Sequence, residues 1–159
     1  DRVGFREVRI EGKDILVNGE KIYLKGFNRH EDYATVGCAI PFQLMVQDMD
    51  LMQEMNANAV RTCHYPNDER FLDLCDERGM YVWEENHARG FGLERMQNPN
   101  FDVQCRDCID EMIGNHFNHP SIIIWGILNE CASETEEGRE KYARQYKNVG
   151  SRKFCCKNR

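Results

Sequence analysis

One pattern constrains this chain more than any other: a short apolar stretch followed by an amphipathic helical period, repeated four times. Residues 21–27, with Ile22, Leu24 and Phe27, form the first stretch. After Pro41 the period changes, and Phe42, Met45, Met49 and Met52 recur at intervals of three and four. That spacing predicts an amphipathic helix over 42–55, with Met55 on the same packed stripe. Ala59, Val60, Arg61 and Thr62 read as the second strand. Pro66 and Asn67 open the next helix, with Asn67 as its cap. Phe71, Leu74 and Cys75 mark its buried face, and Gly79 closes it. Met80, Tyr81, Val82 and Trp83 make the third strand. A glycine-rich loop through Asn98 and Pro99 leads to a helix striped by Cys105, Ile109, Met112 and Ile113. His119-Pro120 ends it, because a residue before proline avoids helical dihedrals. Residues 121–128 are nearly all apolar, which suits a strand buried on both faces of a parallel sheet. Ser133 and Glu136 have capping-box spacing for a last helix through Tyr146.

Ahead of these repeats, Phe5 to Ile10 alternates apolar and charged residues, the signal of a half-buried strand. Asp14 to Val17 then runs into Asn18-Gly19, a strong hairpin turn. A hairpin followed by alternating strands and helices implies an α/β fold with a parallel sheet. A doubly wound sheet and an eightfold barrel both satisfy the pattern. No glycine-rich phosphate loop follows the first strand, which disfavours a dinucleotide site.

The 159 residues suffice for one domain with its own core. A net charge of −6 disfavours nucleic acid as a partner, since that binding rests on phosphate neutralisation. No apolar run is long enough to span a bilayer, so no membrane association is expected. No secretory leader is visible, and the chain starts at Asp1 rather than Met, as an internal piece would. Several of the eight cysteines fall inside apolar periodic segments. They read as reduced thiols in a reducing, cytoplasmic compartment.

Parallel barrel strands deliver functional groups at their C-terminal ends. After the first strand come Asn28, Arg29, His30, Glu31 and Asp32; the second carries Arg61 and ends at His64 and Tyr65. After the third come Glu84, Glu85, Asn86 and His87, and after the fourth Asn129 and Glu130. The fourth is the sharpest, because the apolar run meets Asn-Glu with no turn residue between. A carboxyl beside a buried strand can have its pKa raised by desolvation, as a general acid working near neutral pH requires. The plainer reading is a polar cap on the strand or on the helix that follows.

Together these residues resemble glycoside hydrolase family 2, the β-galactosidase and β-glucuronidase family. The resemblance is carried by Gly26-Phe27-Asn28-Arg29-His30-Glu31-Asp32 and by Asn58-Ala59-Val60-Arg61-Thr62-Cys63-His64-Tyr65-Pro66-Asn67. It continues in Asn118-His119-Pro120-Ser121-Ile122-Ile123-Ile124-Trp125-Gly126 and Asn129-Glu130, and spans Val3 to Tyr146 in the family's order. It implies a (β/α)₈ TIM barrel, of which about four βα units stand here, and retaining hydrolysis of β-linked sugars. It further implies that Glu130 is the acid/base, that Asn129 hydrogen-bonds the sugar 2-hydroxyl, and that His30, Arg61 and His64 line the sugar subsite. Residues 1–11 then end a preceding β-sandwich or form a linker strand, 12–147 form the N-terminal half of the barrel, and 148–159 are an atypical basic tail with adjacent Cys155 and Cys156, as a shifted or terminated reading frame or a natural short variant would leave.

Retaining hydrolysis needs a second carboxylate, and in this family it comes from a later strand. The nucleophile is therefore expected outside this chain, and the chain alone is expected to be inactive. The family's magnesium-binding β-galactosidases place a metal-holding Glu-x-His pair farther along the loop that reads Glu84-Glu85-Asn86-His87-Ala88-Arg89-Gly90 here, and no such pair is present there, so no cofactor or metal is expected. Cys105 and Cys108 read as core residues rather than a redox pair, and Trp83 as core, with stacking on a sugar face as its alternative. The expected partner is a β-glycoside, small or oligosaccharide. The alternatives are a non-catalytic sugar-binding remnant, and a half-barrel completed by a second copy or a complementing chain.

Overall fold

A computed structural model describes residues 3–151, with side chains through 147. In chain order the elements are β1 (Val8–Glu11), β2 (Asp14–Val17), β3 (Glu20–Ile22), β4 (Gly26–Arg29), α1 (Phe42–Glu54), β5 (Ala59–Thr62), α2 (Glu69–Arg78), β6 (Tyr81–Glu85), α3 (Leu93–Met96), α4 (Phe101–His116), β7 (Ile122–Gly126) and α5 (Glu136–Ser151). The chain packs as two compact units. The first holds the stretch up to Cys63, Asn67–Glu84 and Asn118–Ile124; the second holds His64–Pro66, Glu85–Phe117 and the stretch from Trp125.

The first unit begins with an antiparallel sheet, β1-β2-β3. Asn18 and Gly19 both take positive φ, 52° and 82°, the geometry a type I′ hairpin demands. The expected strand over 21–27 is split into β3 and β4. Asn58 causes the break: its Oδ1 accepts from Lys25 N at 2.7 Å and its Nδ2 donates to Tyr23 O at 2.9 Å. The backbone at 23–25 thereby leaves the hairpin and enters the parallel sheet, whose order is β4-β5-β6-β7. Residues pair in register as Asn28↔Arg61 and Arg61↔Trp83, and as Arg29↔Thr62 and Thr62↔Glu84. Alternation along each strand sends these two rows to opposite faces. Arg29, Thr62 and Glu84 are buried, whereas Trp83 is 40% exposed; the expectation that Trp83 is core is thus corrected by the side of the sheet on which its register places it.

Met45, Met49 and Met52 are buried on α1, as the stripe predicts, but Met55 lies past the helix end and is exposed. Helix α2 packs on α1 and buries Phe71, Leu72, Leu74 and Cys75, and Gly79 closes it at φ 68°. Its cap is Asp68, which accepts from Arg70 N, rather than Asn67. Asn67 is instead buried, with its Oδ1 accepting from Arg29 Nη1 at 2.9 Å.

The second unit is built on α4. Phe101 and Cys105 pack with Ala88, Met96, Cys131 and Ala132, while Ile109, Met112 and Ile113 pack with Trp125 and Ile127. The helix ends at His116, before the expected stop, and α3 is a single turn the sequence did not announce. Thr135 Oγ1, not Ser133, accepts from an N-terminal amide of α5, that of Gly138 at 3.0 Å. Among the described residues, the cysteines at 38, 63, 75, 105, 108 and 131 stand outside any disulfide. Burial pushes the Cys105 thiol up to about 12, consistent with a core residue; Cys155 and Cys156 of the tail lie outside the described residues.

Candidate active site

In the first unit, Asn28, Arg61 and Trp83 stand in one row across three strands. Arg61 Nη1 lies 3.5 Å from Asn28 Oδ1, and its guanidinium carbon sits 5.1 Å from the Trp83 ring centroid. They line a cavity of about 380 Å³ with Phe27, Val60 and Ile124 among its apolar walls. His30 is exposed directly after β4. Its two neighbours are anchored. Arg29 Nε donates to Asp48 Oδ2 at 2.9 Å, and its guanidinium covers the Phe71 ring at 4.0 Å. The Glu31 carboxylate accepts from Asp68 N at 3.1 and 3.2 Å. Burial pushes the Glu31 pKa up, and the nearby Arg29 guanidinium only partly offsets it. His30 is therefore presented by a backbone fixed on both sides.

In the second unit, the chain beyond β6 runs alongside the chain beyond β7. Asn86 N donates to Gly126 O at 3.0 Å, Asn129 N to Ala88 O at 2.9 Å, and Gly90 N to Asn129 O at 2.9 Å. Asn129 is thus held on both its backbone groups. The next anchor is Cys131: its N–H donates to Tyr142 Oη at 3.1 Å, and the Tyr142 hydroxyl donates back to Cys131 O at 3.2 Å. Between these anchors Glu130 takes φ 47°, in the left-handed region. Its side chain is exposed. The strand itself ends at Gly126, four residues before Glu130.

The other members of this unit are His64, Glu85, His87 and Arg89. His64 Nδ1 lies 2.5 Å from Glu85 Oε1. The Glu85 side chain is 1% exposed and that of His64 19%. Burial, then the neighbouring Arg89, pushes the His87 pKa down. The Arg89 guanidinium carbon lies 5.4 Å from the Tyr65 ring centroid. Asn86 is fully buried and its Nδ2 donates to Cys105 O at 3.3 Å.

The structure thus brings Asn28 and Arg61 together in one unit, and fixes Asn129 and Glu130 on one clamped loop in the other. Sequence reasoning gave Glu85 no partner and passed over Tyr142. A Glu-Glu pair closing an apolar strand was the available signal for Glu85. For Tyr142 there was none, because its partner is a backbone group eleven residues away.

The description that matches residues 8–153 is "Glycosyl hydrolases family 2, TIM barrel domain". A crystal structure of a GH2 β-galacturonidase from Eisenbergiella tayi bound to galacturonate is 64% identical, with a TM-score of 0.91, over 95% of this chain and 27% of that one. A β-glucuronidase from Ruminococcus gnavus, in complex with a C6-substituted uronic isofagomine, is 33% identical, with a TM-score of 0.90, over 95% of this chain and 26% of that one. A β-galactosidase of Alteromonas mediterranea is 41% identical over 133 residues, 81% of this chain and 13% of its own length. The chain therefore spans about a quarter of these solved relatives and less of the curated one.

Proposed function

The chain belongs to glycosyl hydrolase family 2, within its TIM barrel domain, and we propose that it serves retaining hydrolysis of β-linked glycosides with Glu130 as the acid/base. The observation that carries this reading is the exposed Glu130 carboxyl on a left-handed residue whose two neighbours are both hydrogen-bonded through their backbones. The fold thereby fixes where the Glu130 side chain leaves the backbone. In the first step Glu130 gives its proton to the glycosidic oxygen as the C–O bond breaks. In the second it takes a proton from the water that releases the sugar. Asn129 hydrogen-bonds the 2-hydroxyl, and His30, Arg61 and His64 line the sugar subsite.

The nucleophile is a second carboxylate about 5–5.5 Å from the acid/base, supplied from outside the described residues. Burial supports this, since Glu84 and Glu85, the other acidic pair at a strand end, are 0% and 1% exposed. The substrate class we favour is a β-linked uronic acid. The support is the 64% identity to the Eisenbergiella protein, whose bound ligand is galacturonate, ahead of the β-galactosidases at 41% and below.

A chimera tests the reading. Residues 3–147 replace the matching segment of the Eisenbergiella enzyme, and hydrolysis of p-nitrophenyl β-D-galacturonide is measured. The chimera should be active, and Glu130→Gln should lower kcat by about 10²–10⁴-fold. The loss should be smaller for a 2,4-dinitrophenyl leaving group, which needs less protonation. An equal fold-loss of the Gln variant on both substrates would reject Glu130 as the acid.

A further inference from the structure

We propose that Glu85 is a positioning residue that holds His64 in its Nδ1–H tautomer and so presents Nε2 as the acceptor for a sugar hydroxyl. The inference rests on the reading of His64 as a sugar-subsite residue and adds what that reading lacks, the choice of ring nitrogen. Glu85 closes β6 and is 1% exposed, so its carboxylate does not touch substrate. It is also held in place, because the N–H of the next residue, Asn86, donates to Gly126 O at 3.0 Å.

The His64 Nδ1–Glu85 Oε1 contact, at 2.5 Å, is a close hydrogen bond. With the carboxylate oxygen as acceptor, its proton lies on Nδ1. In the neutral ring Nε2 is then the acceptor. The same contact opposes a half-turn of the ring about χ2, which would exchange a nitrogen for a carbon at the sugar. Buried carboxylates fix histidine ligands of metals in this way; here the ring would face a hydroxyl instead. The backbone next to His64 is stiff as well, since Tyr65 lies under Arg89 and is followed by Pro66.

Nitrogen-labelled histidine decides the matter on the chain itself. The His64 ring signals are assigned by their loss in His64→Asn. In the parent, with the ring neutral, they should report the Nδ1–H tautomer, the minor form of histidine in water. Glu85→Gln keeps a carbonyl acceptor and should preserve that tautomer; Glu85→Leu should turn the ring over to mostly Nε2–H. A parent ring in the Nε2–H form, or a Leu variant that keeps Nδ1–H, would overturn the proposal. The parent measurement alone suffices should Glu85→Leu not fold. D-galacturonate is then titrated in, with movement of the Nε2 signal expected and binding at least tenfold weaker in Glu85→Leu. An Nδ1–H ring that no sugar perturbs would count against His64 as a subsite residue and leave the Glu85–His64 link standing.

Discussion

A left-handed backbone costs a residue with a side chain about 1–2 kcal/mol, and Glu130 carries that cost at φ 47°. Such strain persists where the surroundings over-determine it, and here the surroundings are the bonds on Asn129 and Cys131. Tyr142 supplies two of them through one hydroxyl. Tyr142→Phe keeps the ring and removes both. Urea denaturation should show a loss of about 1–3 kcal/mol, since a half-buried N–H and C=O lose their partner together. In the Eisenbergiella chimera the same change should lower kcat more than it raises KM, because Glu130 would be loosened rather than the sugar released. Stability unchanged within the error of the measurement would show that Tyr142 does not hold this loop. At this scale the identity of Glu130 was legible, as the polar end of an apolar run. Its backbone was not, because a positive φ at a glutamate is imposed by hydrogen bonds from α5 and from the chain at 88–90 rather than by local preference.

Among the elements, β4 and β5 approach so closely at Gly26 that an added Cβ would sit 2.0 Å from Ala59 O. Gly26→Ala must shift a strand backbone, and a loss of about 1–3 kcal/mol in urea is expected; a fully stable alanine variant would mean that the two strands can part without cost. A second contact between elements depends on pH. Asp76 of α2 accepts from His119 at 2.6 Å and from Ser121 N at 2.9 Å, which ties α2 to the entry of β7. The hydrogen bond to Asp76 raises the His119 pKa against the opposing effect of burial, with Asp73 and Glu84 also raising it. Burial pushes Asp76 up, but its bonds from His119 and Ser121 outweigh that and leave it below the ordinary value. The raised His119 contributes stability that is full below about 6.5 and is lost as pH rises through its folded pKa. The lowered Asp76 contributes stability that is full above about 3.9 and is lost as pH falls through its folded pKa. Stability in urea should therefore be greatest between about pH 4 and 6.5, and His119→Asn should flatten the alkaline side. An unchanged alkaline slope in that variant would assign the pH dependence to other groups. The elements were largely legible in the sequence because their periods differ, two for β1 and near 3.6 for α1, α2 and α4, although β1 runs Val8–Glu11 and is exposed along its whole length rather than half-buried. Misreadings came where a side chain outcompeted the local pattern: Asn58 cut a strand in two, and Arg29 drew Asn67 away from the cap.

For the molecule as a whole, the sequence pattern left a barrel and a doubly wound sheet open, and the barrel was implied by the family resemblance that the motifs around the strand ends carry rather than by any apolar period. A closed barrel of this kind has eight parallel strands, whereas the described residues carry four, in the order β4-β5-β6-β7. Among the described residues β4 and β7 therefore each have a strand neighbour on one side only. Phe27 and Trp83 in the first unit are both 40% exposed, beside the cavity they line. Unpaired strand edges next to exposed apolar side chains invite pairing with another chain. The 159-residue chain alone should accordingly associate, with a mass by light scattering above the 18.7 kDa of one copy. Phe27→Lys places a charge on the edge strand β4, the device by which natural edges avoid pairing, and should shift the distribution toward the monomer. The edge would then be the cause of association and not a general stickiness of the chain. A parent that elutes as a sharp monomer and melts cooperatively would show that four strands satisfy themselves, and that completion by a second copy or a complementing half is unnecessary.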